Sequence, residues 1–193
     1  MKLWTFGDSF TWGYMCKPGQ EYYESTQPKK IWPELLSDNL GAELKNYSLY
    51  GYSNYSIVKT IAEHLHEIDK EDIVVVGTSS PFRLLRYNKI DGQIDDSVDH
   101  WKNINTPDYW DNKVLVDYLT EEVMPYEEEW NDYFVSLINN MLHPYDSYIW
   151  NWKLREQFET IKQETNDEIW DDHWSWTGHQ QMYEWLIGVI DER

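Results

Sequence analysis

Residues 72–78 read DIVVVGT, an apolar run with a polar residue at each end. A continuous apolar run of about five residues is typical of a strand that is buried on both faces of a parallel sheet. In such a sheet, helices cover both faces. The stretch therefore predicts an α/β fold with this strand near the centre of the sheet.

The chain before this strand alternates between strand and helix patterns. Strands are predicted at 2–6 (KLWTF) and 43–49 (ELKNYSL), and helices at 32–40 (WPELLSDNL) and 53–68 (SNYSIVKTIAEHLHEI). Pro33 and Gly41 suit the first turn and the end of the first helix, and Ser53 or Asn54 can cap the second. The alternation predicts βαβ units in a three-layer α/β sandwich.

The chain after this strand begins with a different kind of segment. Residues 86–129 are polar, aromatic and charged, with little periodicity, and we predict an irregular insertion that caps the site. A helical pattern follows from Trp130 to Met141, then a strand at 147–152 (SYIWNW) and a weak helix or loop at 154–167. A last amphipathic helix is predicted around Met182 to Ile190.

Length, charge and composition narrow the functional class. The 193 residues are expected to form one domain, 1–193, and most of the 12 tryptophans are interpreted as core residues rather than sugar-stacking platforms. A net charge of −19 disfavours nucleic acids and anionic membranes as partners. The chain has no apolar run of about 20 residues and no signal-peptide pattern, so we expect a cytoplasmic location. The one cysteine, Cys16, excludes an intramolecular disulfide.

The sequence Gly7-Asp8-Ser9 ends the first predicted strand. In open α/β sheets, ligands bind at the carboxyl ends of the strands. Gly7 allows a tight turn and Asp8 is a good helix cap, so the turn would present the Ser9 hydroxyl beside free backbone amides. An ordinary capped turn is the structural alternative.

A serine nucleophile needs a base, and His173 is the best placed of the six histidines. It lies in WDDHWSWTGHQQM, residues 170–182, directly after acidic residues and before the last helix. A carboxylate at this point can hold the imidazole through Nδ1 and leave Nε2 to accept the serine proton.

Together these motifs resemble the SGNH or GDSL hydrolases. Gly7-Asp8-Ser9 resembles the first motif of the family, Gly51 after NYSLY resembles the second, GTSSP at 77–81 takes the place of the third, and HWSWTGH at 173–179 resembles the last. The resemblance covers nearly the whole chain, with the motifs in order. It implies a flavodoxin-like α/β/α fold and esterase activity.

Two positions depart from the family pattern. Ser79 takes the place of the asparagine in the third motif, so its hydroxyl, or that of Thr78, would have to replace an amide donor. Trp170 takes the place of the usual aspartate three residues before the histidine. Asp171 is the preferred substitute, and Asp172 is the alternative.

The resemblance implies a Ser9–His173–Asp171 triad that cleaves a small-molecule ester through an acyl-enzyme. The oxyanion hole would comprise the amides of Ser9 and Gly51 together with Ser79. No cofactor or metal is needed for this chemistry. The resemblance to this family, together with the many aromatic residues, points to O-acetylated carbohydrates as substrates. The sequence leaves open whether the acyl acceptor is water or an alcohol. It also leaves the oligomeric state open.

Other interpretations of the same residues carry less weight. Asp171, Asp172, His173 and His179 could crowd around a metal, but their spacing is unlike that of common zinc sites. His179 is expected to be structural, Cys16 not to be a nucleophile, and Arg83 and Arg86 to pair with carboxylates. The main alternative function is a binding or structural module of the same fold, for example in a virus particle, with weakened or lost catalysis.

Overall fold

The computed structural model describes residues 1–13, 30–81, 83, 85–87, 94–96, 121, 124–159 and 173–192. The strands are β1 (Lys2–Phe6), β2 (Glu43–Asn46), β3 (Ile73–Gly77), β4 (Leu85–Tyr87), β5 (Ile94–Asp96) and β6 (Asp146–Trp150). The helices are α1 (Ser9–Trp12), α2 (Trp32–Leu40), α3 (Asn54–His64), α4 (Glu127–Leu142) and α5 (Trp176–Asp191). Short 3-10 turns occupy Leu65–Glu67, Met124–Tyr126 and Trp152–Gln157.

Four strands form a parallel sheet in the order β2-β1-β3-β6. All five residues of β3 are buried, as the DIVVVGT run predicts. The chain goes from β1 to β2 on one side and then to β3 on the other, so the strand order reverses direction between β1 and β3. In doubly wound sheets, the carboxyl ends of the strands at such a reversal form the ligand-binding crevice.

Helices cover both faces of this sheet. On one face, strand residues pack against α2 and α5; the set includes Leu3, Val75, Trp150, Leu36, Met182 and Leu186. On the other face, strand residues pack against α3 and α4; the set includes Trp4, Phe6, Val74, Ile57, Ile138 and Leu142. Alternate residues of β1 and β3 therefore contribute to opposite cores, and the predicted three-layer α/β fold is confirmed.

The predicted capping residues agree with the structure, but α3 ends at His64 rather than at residue 68, and a 3-10 turn follows at Leu65–Glu67. Pro33 lies in the first turn of α2, and Gly41 ends that helix with φ of 61°. Ser53 caps α3 by accepting a hydrogen bond from the Ser56 amide at 3.3 Å.

Two strand ends differ from the prediction because an asparagine side chain starts a turn at each of them. β2 ends at Asn46 rather than at residue 49, since Asn46 Oδ1 accepts from the Ser48 amide at 3.0 Å. β6 ends at Trp150 rather than at residue 152, since Asn151 Oδ1 accepts from the Lys153 amide at 2.9 Å. Such local bonds compete with strand pairing.

The segment 86–129 is not irregular throughout. β4 and β5 pair antiparallel, with Arg86 opposite Asp95, and α4 already begins at Glu127. Most of the remaining segment lies outside the described residues, so its proposed role as a cap stays a prediction. Within the described ranges, no helix combines the length and apolarity that crossing a membrane requires.

Candidate active site

Ser9 is the first residue of α1, directly after the central strand β1. Asp8 caps this helix, because its Oδ1 accepts from the Phe10 amide at 3.1 Å. A Cβ on Gly7 would lie 2.3 Å from Thr11 Oγ1 and 3.3 Å from the Gly77 carbonyl oxygen. The turn thus excludes a larger residue at position 7 and fixes Ser9 at the carboxyl edge of the sheet.

Ser9 and His173 meet across 164 residues of chain, with Ser9 Oγ and His173 Nε2 2.7 Å apart. Ser9 is 1% exposed, and His173 is half-buried. The imidazole stacks on the Phe10 ring, with centroids 4.9 Å apart and planes 20° apart. This is the geometry in which a histidine can accept the proton of a serine hydroxyl.

The chain on either side of His173 is held by the protein core. Trp174 is fully buried and contacts Phe10 and Trp150, with ring centroids 5.0 and 5.5 Å away. Ser175 caps α5 by accepting from the Gly178 amide at 3.1 Å. His173 therefore lies two residues before the N-cap of α5, and the buried Trp174 holds the chain beside it in the core.

The predicted third member of the triad, Asp171, lies outside the described residues, as do Asp172 and Cys16. The assignment of the carboxylate that orients His173 thus stays a prediction.

A buried ion pair lies next to the serine turn. Asp8 Oδ2 accepts from Arg83 Nη1 at 2.9 Å, and the two side chains are 4% and 6% exposed. Ser79 Oγ lies 3.1 Å from the same carboxylate oxygen and 3.1 Å from Arg83 Nη1. Asp8 thus uses one oxygen to cap α1 and the other to bind Arg83 and Ser79. The sequence predicts the cap and a carboxylate partner for Arg83, but not that one residue fills both roles.

The hydroxyl, amide and carbonyl groups of Ser79 are all hydrogen-bonded to neighbouring side chains. Its hydroxyl donates to Asp8, its amide donates to Asn54 Oδ1 at 2.7 Å, and its carbonyl accepts from Asn54 Nδ2 at 2.7 Å. The Thr78 hydroxyl is committed as well, because it accepts from the Trp152 amide at 3.0 Å and lies 3.3 Å from Asn131 Oδ1. For Ser79 to donate to an oxyanion, its hydroxyl would have to turn away from Asp8.

Gly51 lies in the loop after β2, which is tied to the serine turn. The Leu49 amide donates to the Gly7 carbonyl at 3.3 Å, and the Tyr47 amide donates to the Thr5 carbonyl at 2.9 Å. Gly51 has φ of 82°, a left-handed conformation that favours glycine. A Cβ there would meet no atom within 4 Å, so backbone conformation rather than space explains the glycine.

His179 is buried in the core, with its ring edge-on to Trp174 at 5.6 Å. Burial, with a smaller contribution from His173, lowers the pKa of His179 to about 3. Its imidazole is therefore neutral at physiological pH and serves the core, as expected from the sequence. Among the residues that the structure describes, no group of three or more His, Cys, Asp or Glu is placed to hold a metal.

No family model matches the chain, and no curated protein matches it significantly. Several solved structures are similar to it. One is a protein from Desulfitobacterium hafniense assigned to the G-D-S-L lipolytic family, with 16% identity, a TM-score of 0.46, and coverage of 97% of this chain and 98% of that one. A psychrotrophic esterase from Pseudoalteromonas sp. has 13% identity and a TM-score of 0.43, with 99% and 97% coverage.

A third similar structure is a carbohydrate esterase whose active site is described as having divergent catalytic and non-catalytic binding functions. It has 12% identity and a TM-score of 0.48, over 100% of this chain and 68% of that one. Identities of 12–16% carry over no activity or site residue to this chain.

Proposed function

We propose that the protein is a serine ester hydrolase in which Ser9 is the nucleophile and His173 is the general base. The observation that carries this proposal is the 2.7 Å contact between Ser9 Oγ and His173 Nε2 at the carboxyl edge of a parallel sheet. Asp171 is proposed to hold Nδ1 of the imidazole, so that Nε2 faces the serine.

In the proposed reaction, Ser9 Oγ attacks the ester carbonyl carbon while its proton moves to His173 Nε2. The amides of Ser9 and Gly51 stabilise the tetrahedral oxyanion, and Ser79 joins them if its hydroxyl leaves Asp8. His173 then gives the proton to the departing alcohol as the carbon–oxygen bond breaks. Water repeats the sequence on the acyl-enzyme and releases the acid.

The substrate is proposed to be a small ester, with an O-acetylated carbohydrate as the specific candidate. A panel of p-nitrophenyl esters from acetyl to octanoyl tests the activity and the acyl pocket. We expect hydrolysis that is lost in Ser9→Ala and His173→Ala and retained in His66→Ala, since His66 is an exposed histidine away from the site. Activity unchanged by His173→Ala would refute the proposed base, and a maximum at octanoyl would refute an acetyl pocket.

A second candidate function is a binding or structural module that keeps the fold and has lost turnover. Two observations favour it: Ser9 is only 1% exposed, and the hydroxyl of Ser79 is bonded to Asp8. Loss of one oxyanion donor lowers rates by about 10²–10³. A protein of this kind would show no ester hydrolysis in the panel and no difference between wild type and Ser9→Ala.

A further inference from the structure

A groove of about 480 Å³ opens between α3 and α4, and its lining is almost entirely aromatic. The residues that line it are Tyr55, Tyr126, Glu129, Trp130 and Tyr133. The helices α3 and α4 cover the sheet face opposite to α5, the helix that follows His173. None of the lining residues is itself a proposed catalytic residue, and Tyr55 directly follows Asn54, whose side chain bonds Ser79.

The aromatic rings of the groove are arranged around the buried side chain of Phe134. Tyr55 and Tyr133 meet this ring edge-on, with centroids 5.0 and 5.4 Å away. Trp130 and Tyr133 are nearly perpendicular to each other, at 83° and 6.2 Å. Trp130 and Tyr133 therefore do not form one flat stacking platform.

The three tyrosines of the groove have exposed side chains. Tyr55, Tyr126 and Tyr133 expose 39%, 51% and 55% of their surface. Exposed apolar surface gathered in a groove is one of the features that mark ligand-binding sites. These rings are therefore accessible to a ligand in the groove.

The negative charge in and around the groove favours a cationic ligand. Lys153 pairs with Glu127 and Glu128 at 3.4 and 3.3 Å, whereas no lysine or arginine of the described chain pairs with Glu129. The net charge of the whole protein is −19. Aromatic ring faces also carry negative charge density. An anionic ligand is thus repelled, and a cation is attracted by the rings, the carboxylate and the surrounding field.

We propose that this groove binds the methylated ammonium group of a small organic cation. A quaternary ammonium is round, bears apolar methyl groups and a positive charge, and so complements nearly perpendicular rings beside a carboxylate.

The test compares choline with 3,3-dimethyl-1-butanol, which has the same shape without the charge, by calorimetric titration of the full chain. Because cation–π and carboxylate contacts favour the charged ligand, we expect choline to bind about tenfold tighter or more. Tyr133→Ala and Glu129→Gln should each weaken choline binding about fivefold or more. Both residues are exposed, so the fold should tolerate these changes.

The control variant is Glu128→Gln, which removes a neighbouring carboxylate of the same helix that faces Lys153. It should leave choline binding unchanged, and Ser9→Ala should do the same. Equal affinity for the neutral alcohol, no choline binding at tens of millimolar, or binding of a neutral saccharide such as cellobiose in place of choline would each overturn the proposal.

Discussion

Replacing Arg83 with methionine removes the cation that neutralises Asp8 in the turn that carries Ser9. The side chains of Asp8 and Arg83 are 4% and 6% exposed, and the two atoms of the ion pair are 2.9 Å apart. Water cannot easily take the place of the guanidinium at such a site. The variant therefore leaves a carboxylate in the core with two described donors, the Phe10 amide and the Ser79 hydroxyl.

Removing one partner of a buried ion pair lowers the free energy of unfolding by about 3–5 kcal/mol. Because Asp8 keeps two hydrogen-bond donors, we expect a loss of about 3 kcal/mol. At about 2–4 °C per kcal/mol for a chain of this size, the melting temperature should fall by about 6–12 °C. Urea unfolding measures the free energy directly, and methionine keeps much of the apolar stem of arginine.

A double variant, Asp8→Asn with Arg83→Met, separates a charge effect from a packing effect. The asparagine oxygen can still cap α1, and no charge is left buried, so the double variant should recover most of the lost stability. Lys59→Met is the matched control, because its ion pair with Glu63 is exposed, and no measurable change is expected. A cost below about 1 kcal/mol for Arg83→Met, or no recovery in the double variant, would refute the reasoning.

Two further predictions concern stability. The pKa of His179 in the folded protein, about 3, lies below its ordinary value of 6.5, so stability is complete above pH 6.5 and falls as the pH drops towards 3. The loss at pH 5 should be about 2 kcal/mol, and urea titrations across this range should show a shallower pH slope for His179→Gln; an unchanged slope would contradict the assignment. A Cβ on Gly77 would lie 2.2 Å from Trp150 Cζ2, whereas one on Gly188 meets no atom within 4 Å. In thermal unfolding, Gly77→Ala should destabilise the protein by about 1–3 kcal/mol. Gly188→Ala, in the interior of α5, should stabilise it by about 0.5–1 kcal/mol. Effects of the same sign for both variants would contradict this prediction.

Periodicity and local capping predicted most of the described fold. The apolar run at 73–77 forms a strand with both faces buried, and the pattern at 32–40 forms a helix with those bounds. Both signals are local, because they depend on residues within one or two turns. The strand ends at Asn46 and Trp150 were also set locally, by asparagine side chains whose turn-forming tendency outweighs the β-propensity of the residues that follow.

The sequence predicted those residues of the candidate site that belong to a recognisable motif. Ser9 and His173 were singled out from their local contexts, and the structure brings them together. The pairing of Arg83 with Asp8 depends on two segments 75 residues apart, which no local pattern specifies. The hydroxyl of Ser79 also bonds to the Asp8 carboxylate. Matching Ser79 to the asparagine position of the family motif could not predict that bond.

The central claim, that His173 activates Ser9, is tested most directly by the rate at which a fluorophosphonate labels the intact protein, followed by mass spectrometry. We expect one adduct, located on Ser9 and absent in Ser9→Ala. Because a positioned general base contributes about 10²–10⁴ in rate, His173→Gln should slow labelling by about that factor. Labelling of Ser9 at the same rate in His173→Gln, or no adduct on Ser9 in the wild-type protein, would contradict it.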